Sequence, residues 1–261
     1  MAFTVHAVMP GVWHIVDCMG VCMTLLEGEN AAMLVDTGYG IEDVADFMRH
    51  MTDLPLTVFL THNHHDHAMG ARCFPETYML EADMADWCMF TNDEMRRRVL
   101  TQAIGKNLPV DEKTFLAGEI PLPKVMKPGV IDLGGLTAEI IEAPGHTPGS
   151  AVVYVPERKL LLSGDDWNPC TWLFFPQALG LRESRSNMRG IQQLPFEKVL
   201  CPHREALYDR WMFDDFFNAL TDGNLRAAEP VNIAPYEQID TCQATLPHDQ
   251  VLVFDWAKSG L

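Results

Sequence analysis

Four histidines and one aspartate occupy residues 62–67, directly after the apolar run 57–60. His62, His64, Asp66 and His67 form the pattern H-x-H-x-D-H, and imidazole and carboxylate groups are the ligands that zinc and similar ions prefer. On an extended backbone the spacing of His62 and His64 directs both rings to one side. The pattern predicts a loop that holds ligands for two adjacent metal ions. The alternative is a solvated turn in which Asp66 caps the next helix.

Three further clusters of donor side chains follow predicted strands later in the chain. His146 lies in the turn Ala-Pro-Gly-His-Thr-Pro-Gly-Ser, where proline and glycine favour a tight bend. Asp165 and Asp166 follow one apolar run, and His203 follows another. A lone turn histidine is usually incidental, and an acidic pair is often a helix cap. Together with the first loop, however, these clusters supply seven donors at the ends of four predicted strands.

Strands and helices that alternate along the chain must position these residues. Apolar runs and alternation predict strands over 12–16, 21–26, 31–35, 57–60, 77–80, 136–142, 151–155, 160–163, 199–200 and 251–254. Helical spacing predicts helices over 41–51, 68–74, 82–104, 184–194 and 205–221, and residues 105–129 form an irregular stretch. Two strand-rich halves predict an α/β fold, a four-layer αβ/βα sandwich with two mixed sheets between helices. We expect one domain over residues 1–261, with a core at 12–220 and a C-terminal tail, 223–261, that docks on it.

Composition excludes several classes of partner. The net charge of −17 disfavours nucleic acid, and we interpret the basic run 96–98 as a solvated helix face rather than a phosphate patch. Seven cysteines without a C-x-x-C pair indicate reduced thiols and a cytoplasmic protein. The N-terminus lacks the pattern of a signal peptide, and no apolar run reaches the roughly 18 residues of a membrane span. The expected partner is a small-molecule substrate.

The order of these motifs resembles that of the metallo-β-lactamase superfamily. The resemblance covers about residues 12–220 and includes the Val-Asp-Thr-Gly run at 35–38. It implies that Asp36 supports the histidine loop without binding metal. It also implies that Asp165 bridges the two ions, with Asp166 as its rival. The implied ligands are His62, His64 and His146 for the first ion, and Asp66, His67 and His203 for the second.

This resemblance implies a hydrolase with two divalent ions, most simply zinc, with iron or manganese as alternatives. Two such ions lower the pKa of a shared water, so that hydroxide can attack an electrophilic centre. Asp66 and Asp165 are the implied catalytic carboxylates, and Asp66 could also move a proton. We expect cleavage of an ester, thioester or lactone of a small, partly apolar molecule. The alternatives are an iron-dependent oxidoreductase of the sulfur-dioxygenase type, which uses one iron, and a metallo-phosphodiesterase.

Departures from the family's pattern make several substrate classes of the family less suitable for this chain. Asp165 disfavours β-lactam hydrolysis, because metallo-β-lactamases generally lack this bridging aspartate. Arg226 and Lys258 are the only cations of the tail, which fits a glutathione-binding extension poorly. Asn168 stands where quorum-sensing lactonases have tyrosine. Arg204, after His203, could pair with a substrate anion or make a structural ion pair.

Large apolar side chains follow Asp165 in a segment that contains two prolines. A loop should not expose so many of them to water. We therefore expect an apolar wall beside the metals, with residues 84–104 either closing its other side or forming ordinary helix core. The alternative is that these side chains pack against the sheet or against a partner subunit in a homodimer. The expected substrate contacts are Trp167, Asn168, Trp172 and Phe174.

Overall fold

The computed structural model describes residues 3–261, which contain three β-sheets. The first sheet has seven strands side by side in chain order: β1 (Thr4–Met9), β2 (Val12–Val16), β3 (Cys22–Glu27), β4 (Ala32–Val35), β5 (Leu56–Phe59), β6 (Tyr78–Met79) and β7 (Lys124–Val125). The second has β8 (Gly129–Asp132), β9 (Thr137–Glu142), β10 (Ala151–Val155), β11 (Leu160–Leu162), β13 (Lys198–Leu200) and β14 (Tyr208–Asp209), in the spatial order β14-β13-β11-β10-β9-β8. The third has β12 (Cys170–Leu173), β15 (Glu229–Pro230), β16 (Thr241–Leu246) and β17 (Gln250–Asp255), in the order β12-β17-β16-β15.

Eight α-helices connect or cover these sheets in residues 3–261. They are α1 (Val44–Met51), α2 (His65–Ala68), α3 (Trp87–Thr91), α4 (Asp93–Gly105), α5 (Glu112–Phe115), α6 (Leu181–Ile191), α7 (Arg210–Ala219) and α8 (Asp222–Arg226). None of these helices is long and apolar enough to cross a membrane. The single helix predicted over 82–104 is instead two helices, because the side chain of Asn92 accepts the N–H of Met95 and starts a new helix there.

Residues of β10 alternate between two cores. Val153 packs in a core with Phe59 of β5, which places this core between the first and second sheets. The neighbouring Val152 and Tyr154 pack in another core, with Met188 of α6. Because successive strand residues point to opposite faces, β10 is covered on both sides. The sequence of β10 is therefore a continuous run of apolar residues.

The first sheet is covered in the same way. Leu34 of β4 packs with Val44 and Met48 of α1, whereas the adjacent Met33 faces the second sheet. On the far side of the second sheet, Phe213 of α7 shares the core that α6 contacts. The layers are thus α1, first sheet, second sheet, and α6 with α7. This order confirms the predicted four-layer αβ/βα sandwich.

The third sheet was not predicted, and it attaches the C-terminal tail. Strand β12 pairs in parallel with β17, so that Trp172 lies beside Val253. The segment after Asp165, which we expected to be a loop, is therefore a strand with alternating burial: Thr171 and Leu173 are buried, whereas Trp172 is 37% exposed. The predicted tail strand over 251–254 is confirmed as β17.

Candidate metal centre

Strand ends bring the predicted donor residues to one edge of the sandwich. Strands β4 and β5 run parallel, and so do β11 and β13. Parallel strands end at the same edge of a sheet. Asp36 follows the end of β4 and His62 follows the end of β5, so both lie at the same edge of the first sheet. Asp165 and His203 leave the second sheet in the same way. His146 lies in the turn between β9 and β10 at this edge.

The seven predicted ligands converge into three overlapping groups of donors. Within each group the ligand atoms lie within 4.8 Å of one another: His62, His64 and His146; His62, His67 and Asp165; Asp66, His67 and His203. Oδ2 of Asp165 is 3.5 Å from Nε2 of both His67 and His146. It is also 3.1 Å from Nε2 of His203. Asp165 therefore lies between the donors expected for the two ions.

Asp36 fixes the orientation of two of the histidine rings. Its Oδ2 lies 3.0 Å from Nδ1 of His67, and its Oδ1 accepts the backbone N–H of Thr61 at 2.7 Å. The hydroxyl of Thr61 donates to Asp36 and lies 3.0 Å from Nδ1 of His62, whose N–H it can accept. In the neutral, metal-binding form both rings would carry their proton on Nδ1, which leaves the lone pair of Nε2 facing the site. Such outer partners set the tautomer and direction of metal-binding histidines.

Two partners that the sequence did not reveal hold the other rings. Nδ1 of His146 lies 2.6 Å from the backbone carbonyl oxygen of Trp172, which can only accept a hydrogen bond. The side-chain amide of Gln177 lies 2.6 Å from Nε2 of His64. The inward atoms, Nε2 of His146 and Nδ1 of His64, are 2.8 Å apart. These contacts aim both rings at one point.

Unsatisfied buried nitrogens show that the donor set suits a cation. Nε2 of His62 and Nε2 of His67 are buried and have no hydrogen-bond partner within residues 3–261. A buried polar atom without a partner costs about 1–3 kcal/mol. Both nitrogens belong to the donor groups, and a divalent ion would satisfy them through their lone pairs. The residues present therefore fit a centre for two metal ions.

The charge states of four of the ligands also favour cations. Burial lowers the pKa of His62 and of His64 well below the ordinary value, and it lowers that of His146 as well, so these imidazoles are neutral. Burial opposes ionisation of Asp165, but the positive charges of His203 and His67 hold the pKa of its carboxyl well below the usual range. Neutral imidazoles and ionised carboxylates are the forms that bind metal. Burial opposes protonation of His67 and His203, but Asp165 raises the pKa of both, so cations would displace a proton from each of these two rings.

Asp83 connects the two ligand-bearing loops of the first donor group. Its Oδ2 accepts the backbone N–H of Asn63 at 3.1 Å and the hydroxyl of Thr147 at 2.7 Å. Its Oδ1 accepts the backbone N–H of Gly149 at 2.6 Å. A Cβ on Gly149 would lie 2.6 Å from the backbone nitrogen of Asp83, so this close approach requires glycine. Sequence reasoning missed Asp83.

Asp166 points away from the donors. Its Oδ1 accepts the backbone N–H of His146 at 3.1 Å, and burial raises the pKa of its carboxyl well above the usual value. None of the donor groups found in residues 3–261 includes it. Asp166 therefore supports the His146 turn, and the geometry favours Asp165 over its rival for the bridging position.

A cavity of about 500 Å³ opens beside the donors. Two of the four expected substrate contacts, Asn168 and Trp172, line it. Phe175, from the segment after Asp165, and Phe90, from residues 84–104, line it as well, and Tyr236, which the sequence did not indicate, completes an apolar wall. Residues from the segment 84–104 thus form part of the wall, in addition to helix core.

The structure corrects the expectation for Trp167 and Phe174. Trp167 is 0% exposed, and its ring packs against Tyr208 and Phe213 in the core behind the second sheet. Phe174 is also buried, and it stacks on Phe175 with ring centroids 4.6 Å apart. Both residues lie outside β12 (Cys170–Leu173), so the strand alternation that turns Trp172 toward the cavity does not extend to them, and each packs in the core instead.

Comparison with known proteins identifies relatives of this fold. The family model of the metallo-beta-lactamase superfamily matches residues 16–203. Acyl-coenzyme A thioesterase MBLAC2 of Gallus gallus is 26% identical over 166 residues, covering 57% of this chain. The match spans 59% of the length of that relative.

Solved structures share the architecture at low sequence identity. A metallo-beta-lactamase family protein of Thermus thermophilus, TTHA1429, superposes with a TM-score of 0.60 at 17% identity, covering 85% of this chain and 82% of that one. The protein TTHA1623, solved in a di-iron-bound form, gives a TM-score of 0.52 at 20% identity, covering 74% of this chain and 92% of that one. At these sequence identities the comparison shows a shared fold alone.

Proposed function

This chain belongs to the metallo-beta-lactamase superfamily, and we propose that it is a metal-dependent hydrolase that cleaves thioesters of small, partly apolar acyl groups. One observation carries the proposal: seven donors that fit two cations open on a cavity with an aromatic wall. The thioester preference is supported by the sequence similarity to an acyl-coenzyme A thioesterase. Esters and lactones, which present the same acyl carbon, are the next substrates in order.

We infer that His62, His64 and His146 hold one ion, that Asp66, His67 and His203 hold the other, and that Asp165 contacts both. Zinc is the ion proposed here, because it suits a set of imidazoles and carboxylates. When bound, two such ions act as Lewis acids and make a water molecule nucleophilic near neutral pH. The protein supplies the fixed rings and the ionised carboxylates described above.

Asp66 is the residue proposed to accept a proton. It lines the cavity, and its Oδ2 lies 3.7 Å from Nε2 of His203 and 3.6 Å from Nε2 of His67. Burial opposes its ionisation, but the charges of His67, His65 and His203 lower its pKa to about 2. The carboxylate is therefore ionised at neutral pH and can take the proton that the attacking water releases.

The aromatic wall is proposed to hold the acyl group and exclude water from it. Trp172 lies on the strand that follows Asp165, and its backbone carbonyl holds the ring of His146. The same residue thus contacts a metal ligand through its backbone and faces the cavity with its side chain. Burial of an acyl chain against these rings stabilises the complex by about 25 cal/mol for each Å² of apolar surface.

A substrate panel tests the proposed function. The zinc-loaded protein is assayed with a thioester, an ester and a lactone of the same acyl group and with a phosphodiester, and the iron-loaded protein is assayed for oxygen uptake with a persulfide. We expect the highest kcat/KM for the thioester, loss of activity on chelation and recovery when zinc is returned. His146→Ala should abolish this activity, whereas Glu81→Ala, at an exposed acidic position, should not. Oxygen uptake with iron, or preference for the phosphodiester, would overturn the proposal.

A further inference from the structure

Three consecutive arginines of α4 point in three directions. The side chain of Arg96 is buried and donates to the backbone carbonyl oxygens of Phe115 and Gly118. Arg97 is exposed and does not line the cavity of the metal centre, whereas Arg98 does. The expectation of a solvated basic face is therefore wrong for Arg96, which is buried, whereas Arg97 and Arg98 are exposed and Arg98 also lines the cavity.

Helical spacing explains why Arg98 reaches this cavity. Met95 and Gln102, three residues before it and four after, line the same cavity. Residues three and four apart share one face of a helix. The only ion pair of Arg98 in the described chain is with Glu94, at 3.9 Å, and the Glu94 side chain is 87% exposed. Its guanidinium therefore keeps donors for a ligand.

Arg204 brings a second guanidinium to the cavity, from the loop of His203. Its Nη1 donates to the backbone carbonyl oxygen of His203 at 2.8 Å, and it lines the cavity beside that ligand. Across residues 3–261, no carboxylate lies within 4.0 Å of Arg204; the nearby Glu205 pairs with His6 instead, at 2.9 Å. Arg204 therefore does not make the structural ion pair that was one of its two predicted roles. This absence supports the other role, pairing with a substrate anion.

Apart from the metal ligands, the charged side chains of the cavity are opposite in sign to the net charge of the chain. The whole chain carries −17, so its field repels anions. The carboxylates of the cavity wall belong to Asp66 and Asp165, both among the donors for the metal ions. Away from the metals, the charged side chains that line this cavity are Arg98 and Arg204. Guanidinium groups bind phosphate and carboxylate in bidentate geometry.

We propose that Arg98 and Arg204 bind an anionic group, phosphate or carboxylate, on the thiol carrier of the thioester substrate. This inference rests on the proposed function. The aromatic wall then binds the acyl group of the thioester, and the two arginines bind the thiol carrier. Water adds its oxygen to the acyl carbon and the C–S bond breaks. The products are a carboxylic acid and the anionic thiol carrier.

The experiment compares one acyl group on three carriers: coenzyme A, which bears phosphates, glutathione, which bears carboxylates, and the uncharged N-acetylcysteamine. Arg98→Gln, Arg204→Gln and the double variant are assayed as metal-loaded protein. Arg97→Gln is the matched control, because it removes the same charge one residue away and outside the cavity. Metal content and melting temperature are measured for every variant, and both should stay unchanged.

We expect each cavity arginine variant to lower kcat/KM for an anionic carrier by about tenfold or more, mainly through KM. The uncharged thioester should be hydrolysed at the wild-type rate by all variants, and Arg97→Gln should match the wild type throughout. Added salt should weaken only the anionic substrates. Selective loss with coenzyme A identifies phosphate as the anion recognised, and selective loss with glutathione identifies carboxylate.

Equal losses on charged and uncharged thioesters, or no loss on either anionic carrier, would overturn this inference. In both cases, hydrolysis of the uncharged thioester by the wild type would leave the proposed function standing. If the wild type hydrolysed no thioester, the proposed function and this inference would fail together.

Discussion

The hydroxyl of Thr147 donates a 2.7 Å hydrogen bond to the carboxylate of Asp83, 64 residues away in the chain. Thr147 follows the metal-centre residue His146, and the same carboxylate also accepts the N–H of Asn63, between His62 and His64. Asp83 therefore holds both loops of the first donor group in a fixed relation. Burial raises the pKa of this carboxyl, and the hydrogen bonds from Thr147, Gly149 and Asn63 oppose that rise.

Removal of this carboxylate should loosen the first metal site. In Asp83→Ala, buried donors of Asn63, Thr147 and Gly149 lose their acceptor, at about 1–3 kcal/mol each. We expect a lower melting temperature and weaker binding of one of the two ions, measured by titration with a chelating indicator. Glu81→Ala removes an exposed carboxylate from the same segment and should change neither. Unchanged metal affinity in Asp83→Ala would show that the two loops hold their positions without it.

Adjacent carboxylates should differ sharply in their effect on activity. Asp165→Ala removes the carboxylate that lies between both donor groups, so both ions should bind more weakly. The rate should fall by more than the roughly 10- to 100-fold typical of losing an outer partner. Asp166→Ala removes only the acceptor for the His146 N–H and should cost about tenfold. Each variant is the other's control, and reversed effects in kcat would mean that Asp166 is the bridging residue.

Asp36 should matter for metal affinity without binding metal. Asp36→Ala leaves Nδ1 of His67 without its acceptor and frees the hydroxyl of Thr61. We expect metal affinity to fall by about 10- to 100-fold while the stoichiometry at saturating metal stays at two. Competition with a chelator measures the affinity, and elemental analysis at saturation measures the stoichiometry. A permanent loss of one ion would instead place Asp36 among the ligands.

Two neighbouring aromatic residues of the β12 segment should give opposite phenotypes. Trp172 faces the cavity, so Trp172→Ala should raise KM for long or aromatic acyl groups by about tenfold and spare acetyl. Phe174 is buried, so Phe174→Ala should lower stability by about 3–5 kcal/mol, with kinetics of the folded fraction unchanged. Kinetics across an acyl series and thermal unfolding separate the two effects. If Trp172→Ala changed KM equally for acyl groups of all lengths, Trp172 would not be a contact of the acyl group.

The sequence predicted those parts of the site that depend on residues close together in the chain. H-x-H-x-D-H supplies four of the seven donors in one segment of six residues. The parallel pair β11 and β13 then brings Asp165 and His203 to the same edge, and the turn between the antiparallel strands β9 and β10 adds His146. The four-layer fold followed from apolar runs, because strands buried on both faces are apolar throughout.

The missed features depend on contacts between distant segments or on backbone atoms. The partner of the His146 ring is the backbone carbonyl of Trp172, which any residue could provide. Strand β12 is stabilised by β17, about 80 residues later, so its own residues did not reveal the pairing. One missed boundary did have a signal: Asn92, followed by two acidic residues, is a typical start of a helix.

The central claim is that seven side chains hold two divalent ions, and metal analysis of the protein purified without chelators tests it most directly. Elemental analysis against protein concentration should give two ions per chain, with zinc the main element. Exhaustive chelation should abolish thioester hydrolysis, and hydrolysis should return in proportion to the ions restored. One iron per chain without zinc, or full hydrolysis by metal-free protein, would contradict the account.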